Sequence, residues 1–182
     1  MKSTSKLYQG SMWVNNRLLG IETFIMALIT ITLVAAIFIE VICRYFLFIA
    51  VAWAEELTRY LFIWLTYIGS AYAVWDGSHT EIDILKQIIL KSKSPHQARN
   101  LKILEVLAIV STFTFLTFFA KIFFDYMMRI WATTQTSPTM HVPMGLVYLP
   151  VFIGTVLAAL HEVFLLMRCF AENPDSSQAA AQ

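Results

Sequence analysis

The stretch Trp53-Ala-Glu-Glu-Leu-Thr-Arg59 sets two adjacent carboxylates and a guanidinium against the start of a long apolar run. Three roles fit such a cluster: coupling an ion or proton, starting a helix, or docking another protein. Glu55 and Glu56 fall in the first turn of a helix beginning here, where free amide N–H groups and the helix dipole favour negative charge. Glu55 precedes Arg59 by four residues, the acid-first order in which helix neighbours pair best. Ion coupling fits poorly, because coupling sites usually lie near the bilayer midplane and these residues lie at the rim. Helix initiation accounts for both acids, and a subunit contact that includes Trp53 is compatible with it.

Other charges follow the same four-residue spacing. Glu40 and Arg44 form one such pair, and Lys121, Asp125 and Arg129 form a chain of three. An unpaired charge at mid-bilayer costs about 2.5–3.5 kcal/mol on insertion scales, so each set is expected to neutralise itself in part. Glu162 is the exception. It lies about two turns inside an apolar segment with only His161 beside it. It should face protein, in the bundle interior or on a second subunit, or be kept neutral by burial.

Chemistry of other kinds finds little support. His79, His96, His141 and His161 are scattered, and only His161 falls within an apolar segment, so a bis-histidine haem is not expected. No Ser-His-Asp arrangement, phosphate-binding glycine loop or Cys/His metal spacing occurs. Cys43 and Cys169 are placed by the span reading at opposite membrane faces, roughly 30 Å apart, too far for a disulfide. No cofactor is expected, and the chain reads as a non-enzyme.

The elements that position these residues come from composition. Apolar residues make up 58% of the 182 and charged residues 14%, with a net charge of +1. Soluble domains carry roughly 45–50% and about 25%, so lipid is expected to be part of the solvent. Near-neutral charge and the lack of a basic, aromatic-interleaved patch exclude nucleic acid as the partner. Four segments are long enough to cross a bilayer, at about 21–43, 57–75, 103–128 and 145–168. They lack barrel-type alternation, so the fold class is an all-α integral membrane protein with four transmembrane helices. The first segment is too long for a cleaved signal peptide and lacks a cleavage site. The whole chain, 1–182, reads as a single membrane domain with tails at 1–20 and 169–182. No repeat of the kind that builds a carrier core is visible.

Lysine and arginine set the orientation. They cluster in the N-terminal tail (Lys2, Lys6, Arg17) and after the second span (Lys86, Lys91, Lys93, Arg99, Lys102), which predicts both termini in the cytoplasm. Trp13 and Trp75 then sit at the inner interface and Trp53 and Trp131 at the outer one, where indole rings prefer to lie. Trp64 is mid-span and needs a packing explanation. Between the second and third spans, Ile82, Leu85, Ile88 and Ile89 recur at helical spacing, which predicts a short amphipathic interfacial helix over about 81–93. Pro95 ends it, and the third helix is expected to start near Gln97. Gly69, Ser70 and Gly154 are small residues that permit close helix approach.

Several of these stretches together resemble a known family. Arg44-Tyr45-Phe46, then Trp53-Ala54-Glu55-Glu56-Leu57 with Arg59-Tyr60 and Trp64, then Gly69, His79 and Asp83, and finally 137-SPTMHVPMGLVYLP-150 resemble the small membrane subunit, the Q component, of tripartite ATP-independent periplasmic (TRAP) transporters. The similarity covers roughly residues 15–168, with Thr80 departing from the family's more usual apolar residue. The resemblance implies a bacterial inner-membrane scaffold that packs against a large membrane subunit (the M component). That subunit carries sodium and an organic acid, of the C4-dicarboxylate or sialic acid type with a lean to sialic acid. It also implies that the scaffold helps to receive a periplasmic substrate-binding protein (the P component). Glu40, Arg44, Trp53, Glu55, Glu56, Arg59 and Glu162 are then candidates for a partner interface or a structural charge cluster. Two other classes remain: an anchor or cytochrome subunit of a redox enzyme, and a small carrier that works alone.

Overall fold

The computed structural model describes residues 2–76 and 97–171. Four helices run through them: α1 (Lys2–Tyr45), α2 (Ala52–Asp76), α3 (Gln97–Ala132) and α4 (Met144–Ala171). The amphipathic helix expected over 81–93 lies outside the described residues, as do His79, Asp83 and His96.

Connection length dictates the topology. α1 and α2 are joined across six residues, 46–51, and α3 and α4 across 133–143. Short connections make each pair antiparallel, giving one bundle end with these two loops and an opposite end with the start of α1 and the close of α2. Among the described residues, α4 packs against each of the other three helices, α1 also packs on α2, and the α3 backbone lies close to α4 alone. α4 is therefore the hub, with α3 standing on one side of it.

Each helix shows why it sits where it does. α1 is polar over its first turns and apolar on nearly all sides from Thr23 to Ile39, and it buries Asn15, Glu22, Ile29 and Ala36, a spacing of seven that follows one narrow seam. The remainder of its surface is left for lipid or other protein: Phe24, Ile31 and Phe38 are all more than 60% exposed. α2 turns Ile68, Ala71 and Val74 inward, and Ala71 and Val74 meet Ala158 of α4 with Leu116 of α3 packed beside them. Gly154 of α4 lies so close to α2 that a Cβ there would come within 2.5 Å of the Tyr67 carbonyl oxygen. Such small-residue contact lets helices approach where no hydrophobic force drives them together. Gly69 instead faces the Met26 sulfur at an ordinary distance. Hydroxyls inside the helices bond back to the carbonyl one turn earlier, as in Thr30 to Met26 and Thr155 to Val151, both at 2.7 Å. In lipid that is how an isolated hydroxyl is satisfied.

Three helices meet the length and hydropathy needed to cross a membrane, within Gly10–Tyr45, Arg99–Ala132 and Met144–Cys169. The expected second span falls short of that apolarity. Arg59, Tyr60, Trp64, Thr66 and Ser70 dilute it, although its 25 residues reach about 37 Å. Helix boundaries also differ from the expected ones. The N-terminal tail expected at 1–20 is helical from Lys2 and continuous with the first span, because no proline interrupts it. α3 begins at Gln97, as the proline before it predicts. Cys43 and Cys169 are free thiols. Trp64 is half-buried in the bundle, while Trp13, Trp53 and Trp131 are exposed.

Candidate functional site: two buried polar networks

At the loop end, α2 starts at Ala52 and brings Glu56 inward one turn later, where it is 7% exposed. The loop 133–143 folds over it. Thr136 and Pro143 form an isolated antiparallel bridge, and the Ser137 N–H donates to the Val142 carbonyl at 2.9 Å. His141 takes a left-handed backbone, φ 55°, which lets the chain turn toward α4. The turn aims two amides at one carboxylate oxygen: the Thr139 and Met140 N–H groups each donate to Glu56 Oε2 at 3.0 Å. The Tyr60 hydroxyl donates to Oε1 at 2.5 Å. The Ser137 hydroxyl donates to the same carboxylate while its oxygen accepts from the Val142 N–H at 3.1 Å. The hydroxyls of Ser137 and Tyr60, followed by the two amides, outweigh burial and hold the Glu56 carboxyl down at about 2. Glu56 is thus ionised at physiological pH and fastens the loop to α2.

Glu55, next in sequence, behaves differently. It points outward and pairs with Arg59 at 3.5 Å, with both side chains more than half exposed. Trp53 is 44% exposed on the same helix start. Beside them the connection 46–51 is apolar and open, with Phe46 77% and Phe48 86% exposed. Glu40 and Arg44 pair at 2.7 Å at the end of α1. This end therefore presents charged and apolar groups together on a surface that Glu56 braces from below.

The second network lies at the opposite end. His161 of α4 is fully buried, and its ring bridges two residues of α1: Nδ1 lies 2.9 Å from Asn15 Oδ1 and Nε2 lies 3.0 Å from Glu22 Oε1. Trp75 of α2 stands 6.3 Å from the ring. With an amide oxygen facing it, Nδ1 donates. Nε2 then donates to a Glu22 carboxylate or accepts from a Glu22 carboxyl, and the trio carries no net charge in either form. Asn15 Nδ2, Glu22 Oε2 and Glu162 Oε2 are buried without a hydrogen-bond partner.

Several sequence expectations are refined here. Glu55 and Glu56, read together as a helix start, have separate roles. Glu162 is 6% exposed and faces the interior of this chain. Lys121, Asp125 and Arg129 are all exposed, and among the described residues no ion pair joins them. Asn15, Glu22, Tyr60 and Ser137 were not singled out by the sequence for these contacts. Glu22 alone carried a usable signal, as a carboxylate at the start of an apolar run with no basic residue four positions away. Among the described residues, no group of three His, Cys, Asp or Glu side chains is placed to hold a metal ion.

Residues 33–172 match the family described as tripartite ATP-independent periplasmic transporters, DctQ component. A relative from Rhodobacter capsulatus, the C4-dicarboxylate TRAP transporter small permease protein DctQ, is 34% identical over 109 residues. That stretch is 60% of this chain, and the chain spans only 45% of the relative's own length.

Proposed function

The chain belongs to the DctQ component family of tripartite ATP-independent periplasmic transporters, a family of membrane transporter components and not of enzymes, and from that premise we propose that it is a scaffold for import rather than the carrier itself. It packs beside a large membrane subunit, with both termini and the helix proposed over 81–93 at the cytoplasmic face, and α2 completes a fourth crossing. The loop end then faces the periplasm and receives a substrate-binding protein. Sodium drives the large subunit. An organic acid of the C4-dicarboxylate type is the proposed substrate, after the relative's name. Sialic acid is the second reading and rests on overall likeness alone.

The observation that carries the scaffold reading is the use of Glu56. A carboxylate at this depth could serve transport, yet its donors come from this chain: Tyr60 one turn along α2, and Ser137, Thr139 and Met140, which tie it to the 137–140 turn. What remains open at that end is Glu55, Arg59, Trp53 and the apolar 46–51 connection, a mixture suited to recognising protein. Co-expression tests the reading. A tagged copy of the chain should recover the large subunit from detergent-solubilised membranes. Immobilised complex should bind the periplasmic protein, and Glu55→Lys combined with Arg59→Glu should weaken that binding. Recovery of the chain alone, with uptake intact in a strain lacking it, contradicts the proposal.

A further inference from the structure

The side of α3 turned away from α4 carries a charged stripe inside an apolar surface. At 100° per residue, Thr114, Phe118, Asp125 and Met128 fall within about 60° of Lys121 around the helix. Leu116 and Phe123 point the opposite way, into the core beside Ala158 and against Tyr148 of α4. Phe118 is 66% and Met128 52% exposed, and Lys121 and Asp125 are exposed with them. Among the described residues, α4 is the one helix whose backbone packs closely on α3. Lys121 stands ten residues before Trp131, about 15 Å along the axis from the indole that marks a membrane boundary.

Three occupants are conceivable for this stripe, and two fit badly. Lipid headgroups fit badly because helical side chains lean toward the helix N-terminus. The ammonium of Lys121 is therefore directed away from the nearer boundary at Trp131, deeper into hydrocarbon. A second copy fits badly because two copies inserted alike are related by an axis along the membrane normal. Residues of equal depth then meet, and Lys121 faces Lys121. A different polypeptide with a carboxylate at this depth satisfies the ammonium, while its apolar neighbours cover Phe118 and Met128.

We propose that the Phe118–Lys121–Asp125–Met128 stripe of α3 is the membrane-embedded seat of the large subunit, with Lys121 meeting a carboxylate on one of its helices. This rests on the reading that the chain works beside such a subunit. The test places a photo-crosslinking phenylalanine derivative at Phe118 and at Met128 in the co-expressed complex. It also measures recovery of the large subunit per membrane-inserted chain for Lys121→Arg, Lys121→Met and Lys121→Glu. Adducts with the large subunit from both positions are expected. Lys121→Met and Lys121→Glu should lower recovery about tenfold, and Lys121→Arg should stay within about twofold of wild type. If Lys121→Glu does not insert, Lys121→Met, which adds no charge, decides the matter. Full recovery with Lys121→Met, or adducts only with lipid or with a second copy, overturns the stripe. If the wild-type chain recovers the large subunit but neither position labels it, the stripe fails and the scaffold reading stands. If the wild-type chain recovers none, both fail.

Discussion

The two buried networks solve one problem in opposite ways. Glu56 sits at a helix start and is satisfied mainly by one turn of the 133–143 loop, with two hydroxyls and two amides converging on its oxygens. His161 sits mid-helix and is satisfied by two side chains about 140 residues earlier in the sequence, and two of the trio's polar atoms remain without partners. A carboxylate that collects backbone amides fixes a loop and holds its charge securely. A side-chain trio fixes the register of one long helix against another, and it leaves any error in that register costly. The molecule thus has a braced surface at one end and a pin between α1 and α4 at the other.

That contrast breaks most readily at the pin. His161→Leu leaves Glu22 buried without its partner, which should cost about 3 kcal/mol and lower the melting temperature in detergent by about 10 °C. The double variant Glu22→Leu with His161→Leu should lose less than the sum of the two single variants, since no orphaned group remains. Additive losses would show that the pair does not act as a unit. Next comes the α2–α4 approach. Gly154→Leu forces a side chain against the Tyr67 backbone and should cost about 1–3 kcal/mol, read as a fall in melting temperature.

At the braced end, the predicted signature lies in pH. The carboxyl of Glu56 is lower in the folded chain than its ordinary 4.5, at about 2. Its contribution is therefore complete above about pH 4.5 and is lost as pH falls toward 2. Between pH 6 and 8 it should not vary. Glu56→Gln should be less stable than wild type at pH 7, and the difference should shrink on acidification; a gap that widens in acid contradicts the bracing role. The smallest effect belongs to the exposed pair. Glu55→Gln or Arg59→Gln should change stability by at most about 1 kcal/mol. Their consequence should show in binding of the periplasmic protein, not in melting.

The helices were legible in the sequence because long apolar runs permit little else, and the start of α3 was legible from Pro95. The outward pair of Glu55 and Arg59 was legible too, since spacing of four is a local property. Glu56 was not separable from Glu55 by local rules, because its partners arrive from the 137–140 turn more than 80 residues away. The seam of α1 was hidden for a related reason. Asn15, Glu22, Ile29 and Ala36 share a spacing of seven, but two of them are polar and the other two lie among equally apolar neighbours, so no periodicity stands out. The stripe on α3 shows the reverse: spacing suggested that Lys121, Asp125 and Arg129 would neutralise one another, and the structure leaves them apart.

The central claim is that these helices support transport without carrying it. Uptake of a radiolabelled C4-dicarboxylate into proteoliposomes, under an inward sodium gradient and with purified binding protein outside, tests it most directly. The account predicts uptake when this chain and the large subunit are both present, and none when either is left out. Sodium-dependent uptake by this chain with the large subunit absent would contradict it.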